Sequence, residues 1–170
     1  MNITTRRIIG LDPGLRSTGW GVIEMTGSKL SYVAAGTVTS TTRKSLAERL
    51  VELEIGLNQV FDDWRPDEAA VENSFVNRDG AATLKLGQAR AISLLVPARL
   101  GLPVGEYAPN LVKKSVTGSG HAEKHQVEVM VRMLLPTARP ETNHSADALA
   151  IAITHANIAK NPIANLQVAG

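Results

Sequence analysis

The chain alternates between short, continuously apolar runs and longer stretches in which apolar residues recur every three or four positions. Ile8-Ile9-Gly10-Leu11 gives residues 6–12 the pattern of a buried strand, closed by the turn signal Asp12-Pro13-Gly14. Residues 19–25 and 30–40 read as two more strands around the tight turn Gly27-Ser28, so the first three form an antiparallel meander. Across 45–64 the apolar positions are 46, 50, 53, 57, 60, 61 and 64, a helical spacing that ends before Pro66. Ala69-Ala70-Val71 makes a short strand over 68–73 that ends in Glu72. Residues 79–100 are helical again, with an apolar row at 84, 91, 94, 95 and 98 that either packs on the sheet or faces a second copy. A fifth strand over 102–107, a short helix over 111–116 and two final helices over 123–135 and 144–160 complete the pattern. Gly118-Ser119-Gly120 reads as a flexible break, and 161–170 as a frayed tail. Leaving aside the short helix, the order βββαβαβαα predicts one α/β domain over 1–160. Its core is a mixed five-stranded sheet, antiparallel in strands 1–3 and then βα units, with helices on both faces.

With 170 residues, 44% hydrophobic and 20% charged, the chain is long enough to bury a proper core. Its longest apolar run is interrupted by Pro97 and Arg99, and the N-terminus has no signal-peptide core, so the expected setting is cytoplasmic and not a membrane. The absence of cysteine excludes disulfides and thiolate metal sites. The net charge of +2 hides an asymmetry. Residues 48–72 carry eight acids against two bases, while 76–140 carry nine bases against four acids. Such a basic half fits a polyanion, or simply a solvated face.

Candidate chemistry lies at the ends of the apolar frames. Asp12 and Glu72 should each end a central strand, where open α/β sheets gather their functional groups. Taken singly, Asp-Pro-Gly is a turn and Glu72 a strand-end charge reaching water. His144 and Asp147 lie three apart, on one side of a helix, and that spacing alone is weak. The run ALAIAIT after Asp147 can pack closely on the sheet, which buries the carboxylate in part and demands a partner for it. Jointly, Asp12, Glu72, His144 and Asp147 form a donor set for Mg²⁺ or Mn²⁺, and two such ions suit phosphodiester cleavage. A serine hydrolase would need G-x-S-x-G and a P-loop nucleotidase G-x-x-x-x-G-K-[ST]; neither occurs. Phe75, Asn77 and Arg78 follow Glu72 closely, and an aromatic there could stack on an unpaired base or cap the core. Lys113, Lys114, His121, Lys124 and His125 flank the glycine break, where they could approach phosphates or stay solvated.

The segments GLDPGLRSTGWGVIE, AVENSFVNRDGAATLKLGQAR, LPVGEYAPNLVKKSVTGSGHAEKHQVEVMV and HSADALAIAITHA resemble, in order and over nearly the whole chain, the RuvC family of Holliday junction resolvases. The resemblance implies a ribonuclease H-like fold and a homodimer that binds a four-way DNA junction and nicks two opposed strands symmetrically. It also implies dependence on Mg²⁺ and partnership with the RuvA–RuvB branch-migration machine. Carried over by position, the metal-binding tetrad is Asp12, Glu72, His144 and Asp147, at two ions per subunit. Lys113 and Lys124 match basic residues near the scissile phosphate, and Phe75 an aromatic that stacks on junction bases. His144 departs from members that carry Asp there; one fewer charge and a softer ligand shift the balance toward Mn²⁺. A junction-binding scaffold without cleavage, and a nuclease for RNA–DNA hybrid, are the alternative readings.

Overall fold

The structure, a computed structural model, describes residues 4–73 and 78–159. The strands β1 (Thr5–Asp12), β2 (Ser17–Thr26) and β3 (Lys29–Thr39) form the antiparallel meander. Helix α1 (Leu46–Trp64), strand β4 (Glu68–Glu72), helix α2 (Gly80–Arg99) and strand β5 (Val104–Tyr107) follow, then α3 (Pro109–Thr117), α4 (Lys124–Leu134) and α5 (Asn143–Ala159). The sheet order is β3-β2-β1-β4-β5, with β4 parallel to both β1 and β5. The mixed five-stranded sheet expected from the pattern is therefore the one observed. The segment 161–170, expected as a tail, lies outside the described residues.

Alternation along the strands sorts the core into two layers. Ile9, Leu11, Val22, Ala69 and Val71 face α1 and α2, with Leu53, Leu57, Val60 and Phe61 of α1 packed on them. Ile8, Ile23, Met25 and Ala70 face α3, α4 and α5. By the same period of two, Asp12 and Glu72 share the face of Ile8 and Ala70, beneath α5. The register holds Leu11 beside Val71, so these two carboxylates leave the ends of neighbouring parallel strands side by side.

Helix α5 reaches unusually close to that face. A Cβ on Gly10 would stand 2.0 Å from the Ala148 carbonyl oxygen, and one on Gly19 would stand 2.1 Å from that of His144. Gly10 pairs with Gly21 across β1 and β2, and Asp12 with Gly19. This patch without side chains lets the helix backbone rest on the sheet. The alanines that the sequence placed after Asp147 serve the same purpose from the other side: Ala148 and Ala152 are fully buried. The start of α5 is fixed by a reciprocal cap. The Thr142 hydroxyl accepts from the Ser145 N–H (3.1 Å), and the Ser145 hydroxyl accepts from the Thr142 N–H (3.2 Å).

The apolar row of α2, which could pack on the sheet or face a second copy, is divided. Leu84 (64% exposed) and Leu95 (44%) face outward, while Leu94 packs half-buried against the core. The helix also buries Ala89, Ser93, Val96 and Pro97. Small residues on this side let α2 lie near β4 and α1, with Ile92 as well as Leu94 packed against the core. Gly118, read as part of a flexible break, is the left-handed cap of α3 (φ 85°), with its N–H bonded to the Lys114 carbonyl at 2.8 Å.

Candidate active site

Six of the sequence-predicted residues, Asp12, Glu72, Lys113, Lys124, His144 and Asp147, meet at one end of the sheet. His144 Nδ1–H donates to Asp12 Oδ2 at 2.9 Å, joining the head of α5 to the end of β1. Lys124 Nζ donates to Asp147 Oδ2 at 3.3 Å. Glu72, Lys113, Lys124 and Asp147 line a cleft of about 270 Å³, floored by Val112, Val127 and Ala150. Lys114 is exposed on α3 and is not among the residues lining the cleft. Arg78 lies just before α2, while Phe75 and Asn77 are outside the described residues.

Lys124 is the first residue of α4, where a cation opposes the helix dipole. A locally unfavourable charge of this kind is the mark of a residue kept for another purpose. At the same helix end the Gln126 side chain accepts from the Glu123 N–H at 2.8 Å.

The electrostatics of the cleft are those of crowded carboxylates. Burial, with Asp12 and Asp147 nearby, pushes the Glu72 carboxyl up to about 7, and Lys113 only partly opposes this. Asp12 is also raised, chiefly by burial and then by Asp147, against the hydrogen bond from His144. Both shifts mean that the folded protein binds protons more tightly here than the unfolded chain does. Stability contributed by Glu72 therefore falls as pH rises from its ordinary 4.5 through about 7. The opposite contribution of Glu52, lowered to about 2 by Lys44, falls in a separate window below pH 4.5. We expect Glu72→Gln to flatten the metal-free stability curve between these limits. At pH 8 it should gain roughly 1–2 kcal/mol, a figure reduced for solvent screening. Denaturant titrations at pH 5 and pH 8 measure this; an unchanged slope in the variant would remove the repulsion argument.

These residues fit a divalent cation by their chemistry. Hard oxygen donors from two strand ends and a helix head converge in one cleft, and their mutual repulsion is what a cation relieves. Among the described residues, no three His, Asp or Glu side chains are yet drawn into a closed ligand group. In the protein alone His144 engages Asp12, and Lys124 engages Asp147. The groove around Arg132, Arg139, Pro140 and Glu141 is larger, about 410 Å³, but brings no second carboxylate to Glu141.

Two further networks escaped the sequence reading. Arg90 of α2 donates from Nε to the Glu72 carbonyl at 3.0 Å and also pairs with Glu106. Deeper in, His155 of α5 bridges the Tyr107 hydroxyl (2.8 Å) and Glu68 Oε2 (2.7 Å), and Glu68 pairs with Arg6. This chain of contacts ties α5 to β4 and β5, two helical turns beyond Asp147. The signals were an arginine in LKLGQAR and a histidine in an otherwise apolar helix.

The family model of the crossover junction endodeoxyribonuclease RuvC matches residues 8–155. The chain belongs to the RuvC family. A member from Parvibaculum lavamentivorans is 62% identical over 149 residues, 88% of this chain and 85% of that protein. One from Afipia carboxidovorans is 60% identical over 153 residues, 90% of each. Among solved structures, Thermus thermophilus RuvC in complex with Holliday junction substrate matches with a TM-score of 0.85 at 34% identity, over 91% of this chain and 95% of that one. The yeast mitochondrial Holliday junction resolvase Ydc2 matches with a TM-score of 0.65 at 11% identity, a likeness of fold alone. The architecture is thus the ribonuclease H-like one of the family. Among the described residues, no helix is long and apolar enough to cross a membrane.

Proposed function

We propose that this chain resolves four-way DNA junctions by metal-dependent phosphodiester cleavage at the cleft between β1, β4 and α5. One observation carries the reading. In a member of the RuvC family, Asp12 and Glu72 end adjacent parallel strands under the helix that bears His144 and Asp147, with Lys113 and Lys124 on the rim.

Asp12, Glu72, His144 and Asp147 would hold the metal, two ions per subunit, as Mg²⁺ or Mn²⁺. Bound there, divalent cations would activate water and stabilise the leaving oxygen. The chain's own groups do the rest. Asp12 and Glu72 fix the donor positions because rigid strands carry them. His144, half exposed and bonded to Asp12, can accept or return a proton at its free ring nitrogen. Lys113 and Lys124 compensate the carboxylates in the protein alone, and a phosphate entering the cleft draws them onto its oxygens. By the family relation, Phe75 would stack on junction bases, with Asn77 and Arg78 as further DNA contacts.

The family relation also carries a homodimer and partnership with RuvA–RuvB, in the cytoplasm. The outward leucines of α2 supply apolar surface of the kind a dimer seam buries. A two-fold axis would present both clefts to like strands of a pseudo-symmetric junction.

The test is nicking of a synthetic four-way junction with Mg²⁺ or Mn²⁺ from pH 6 to 9. Paired symmetric nicks, absent from linear duplex, are the expected outcome. Binding without cleavage under every condition would make the chain a scaffold. Cleavage of RNA–DNA hybrid with the junction left intact would assign a different substrate.

A further inference from the structure

We infer that Arg90 is a positioning residue for the Glu72 carboxylate and thereby sets the affinity of the cleft for a divalent cation. The inference rests on the proposed function, since it presumes that Glu72 holds metal. Alternate residues of β4 direct their backbone groups to opposite neighbours. The N–H groups of Ala69 and Asn73 donate to Pro103 and Tyr107 on the β5 side, at 3.0 and 2.7 Å. The backbone of Glu72 therefore points the other way, toward β1. There the ladder stops with Leu11 opposite Val71. The next ladder position beyond β1 is Pro13, which has no N–H to give, and the N–H of Gly14 goes to the Thr18 hydroxyl, at 3.3 Å. The Glu72 carbonyl lies past the end of its own ladder, and Arg90 supplies the donor, Nε–H, at 3.0 Å.

The other limb of the guanidinium pairs with Glu106, which sits opposite Val71 on β5. One planar group thus ties the carbonyl of the ligand-bearing residue to the neighbouring strand. The Arg90 side chain is only 16% exposed, so it does not reach toward DNA. Its fork is what joins two acceptors at fixed angles; an ammonium would serve one of them at a time. Without Arg90 the last peptide of β4 is held on one side only, by the Asn73 N–H to Tyr107, and the Glu72 carboxylate at its start is less firmly directed. Partners that orient a metal ligand from behind are typically worth about 10–100-fold in metal affinity or activity. This gives LKLGQAR a purpose: it spaces an arginine on α2 so that it meets the end of β4.

The experiment compares wild type, Arg90→Ala, Arg90→Gln and Arg90→Lys in the full chain. Mn²⁺ affinity is measured by calorimetry without DNA, junction affinity by titration without metal, and cleavage against Mn²⁺ concentration. We expect Arg90→Ala to weaken Mn²⁺ binding by about 10–100-fold and to raise the half-saturating Mn²⁺ for cleavage in parallel. Junction affinity and its salt dependence should stay at the wild-type level. Arg90→Lys should recover only part of the loss. If Arg90→Ala does not fold, Arg90→Gln carries the same expectation. Unchanged Mn²⁺ affinity in a folded variant overturns the inference. So does a salt slope of junction binding reduced by about one, which would make Arg90 a phosphate contact. Glu72→Gln separates the two levels. If it also keeps wild-type Mn²⁺ affinity, the metal site itself is misassigned; if it alone loses binding, the site stands and only the role of Arg90 falls.

Discussion

Asp12→Asn and Glu72→Gln are expected to leave junction binding near the wild-type level and to cut nicking by roughly a thousandfold or more. Ions held at such a site provide several kcal/mol of transition-state stabilisation, and each 1.4 kcal/mol or so is tenfold in rate. Both replacements keep the side chain's size and remove only its charge. Binding survives because phosphate contacts from basic residues, not the carboxylates, supply the affinity. Removing an anion from the cleft if anything favours a polyanion. Folding is not at risk either: Glu72 is destabilising when ionised, its carboxyl being held up near 7. Cleavage and binding are read on the same synthetic junction. A near wild-type cutting rate in either variant would show that the metal lies elsewhere.

The second large effect is expected from a residue with no side chain. Gly10→Ala would bring a Cβ to 2.0 Å from the Ala148 carbonyl oxygen and 2.6 Å from the Ala152 nitrogen. Both are backbone atoms of α5, so no side chain can swing aside, and the helix must lift. Overpacking of this sort costs about 1–3 kcal/mol or more, which lowers Tm by several degrees in a chain of this size. The cleft suffers further. His144 and Asp147 ride on α5, and a shift of about 1 Å at a reacting centre can cost on the order of a hundredfold. Gly87→Ala is the control. Nothing lies within 4 Å of a Cβ there, in the middle of α2, so the change should stabilise slightly. Thermal melts and nicking rates on both variants check this. A Gly10→Ala protein with wild-type melting and cutting would contradict the close seat of α5.

Much of this arrangement was legible in the sequence, for identifiable reasons. Asp12 and Glu72 stand where an apolar run meets a turn, and strand ends are where parallel neighbours bring groups together. The alanines after Asp147 announced close packing. What stayed hidden depended on register or on which side of a helix turns inward. Gly10 opposite Gly21 and Asp12 opposite Gly19 are facts of strand pairing, which one strand's pattern does not contain. Helix α2 stayed ambiguous because its apolar row divides: Leu94 packs on the core beside Ala89, Ser93 and Val96, while Leu84 and Leu95 face outward. The tie from Arg90 to Glu72 spans 18 residues and runs to a backbone atom, so no pairing of side-chain types pointed to it. Arg78 was placed near the site by adjacency alone; Phe75 and Asn77 lie outside the described residues.

The bond between Asp12 and His144 joins positions 132 residues apart. The first strand of the sheet leaves the ribosome long before the final helix, and Asp12 waits through the synthesis of four other helices for its partner. A nascent chain, or a fragment that has lost α5, carries two of the four donors and no lid of glycine-seated helix over them. On the proposed assignment, such species would lack half of the groups that hold a cation. On that assignment, cutting power would therefore arise only when the last helix docks.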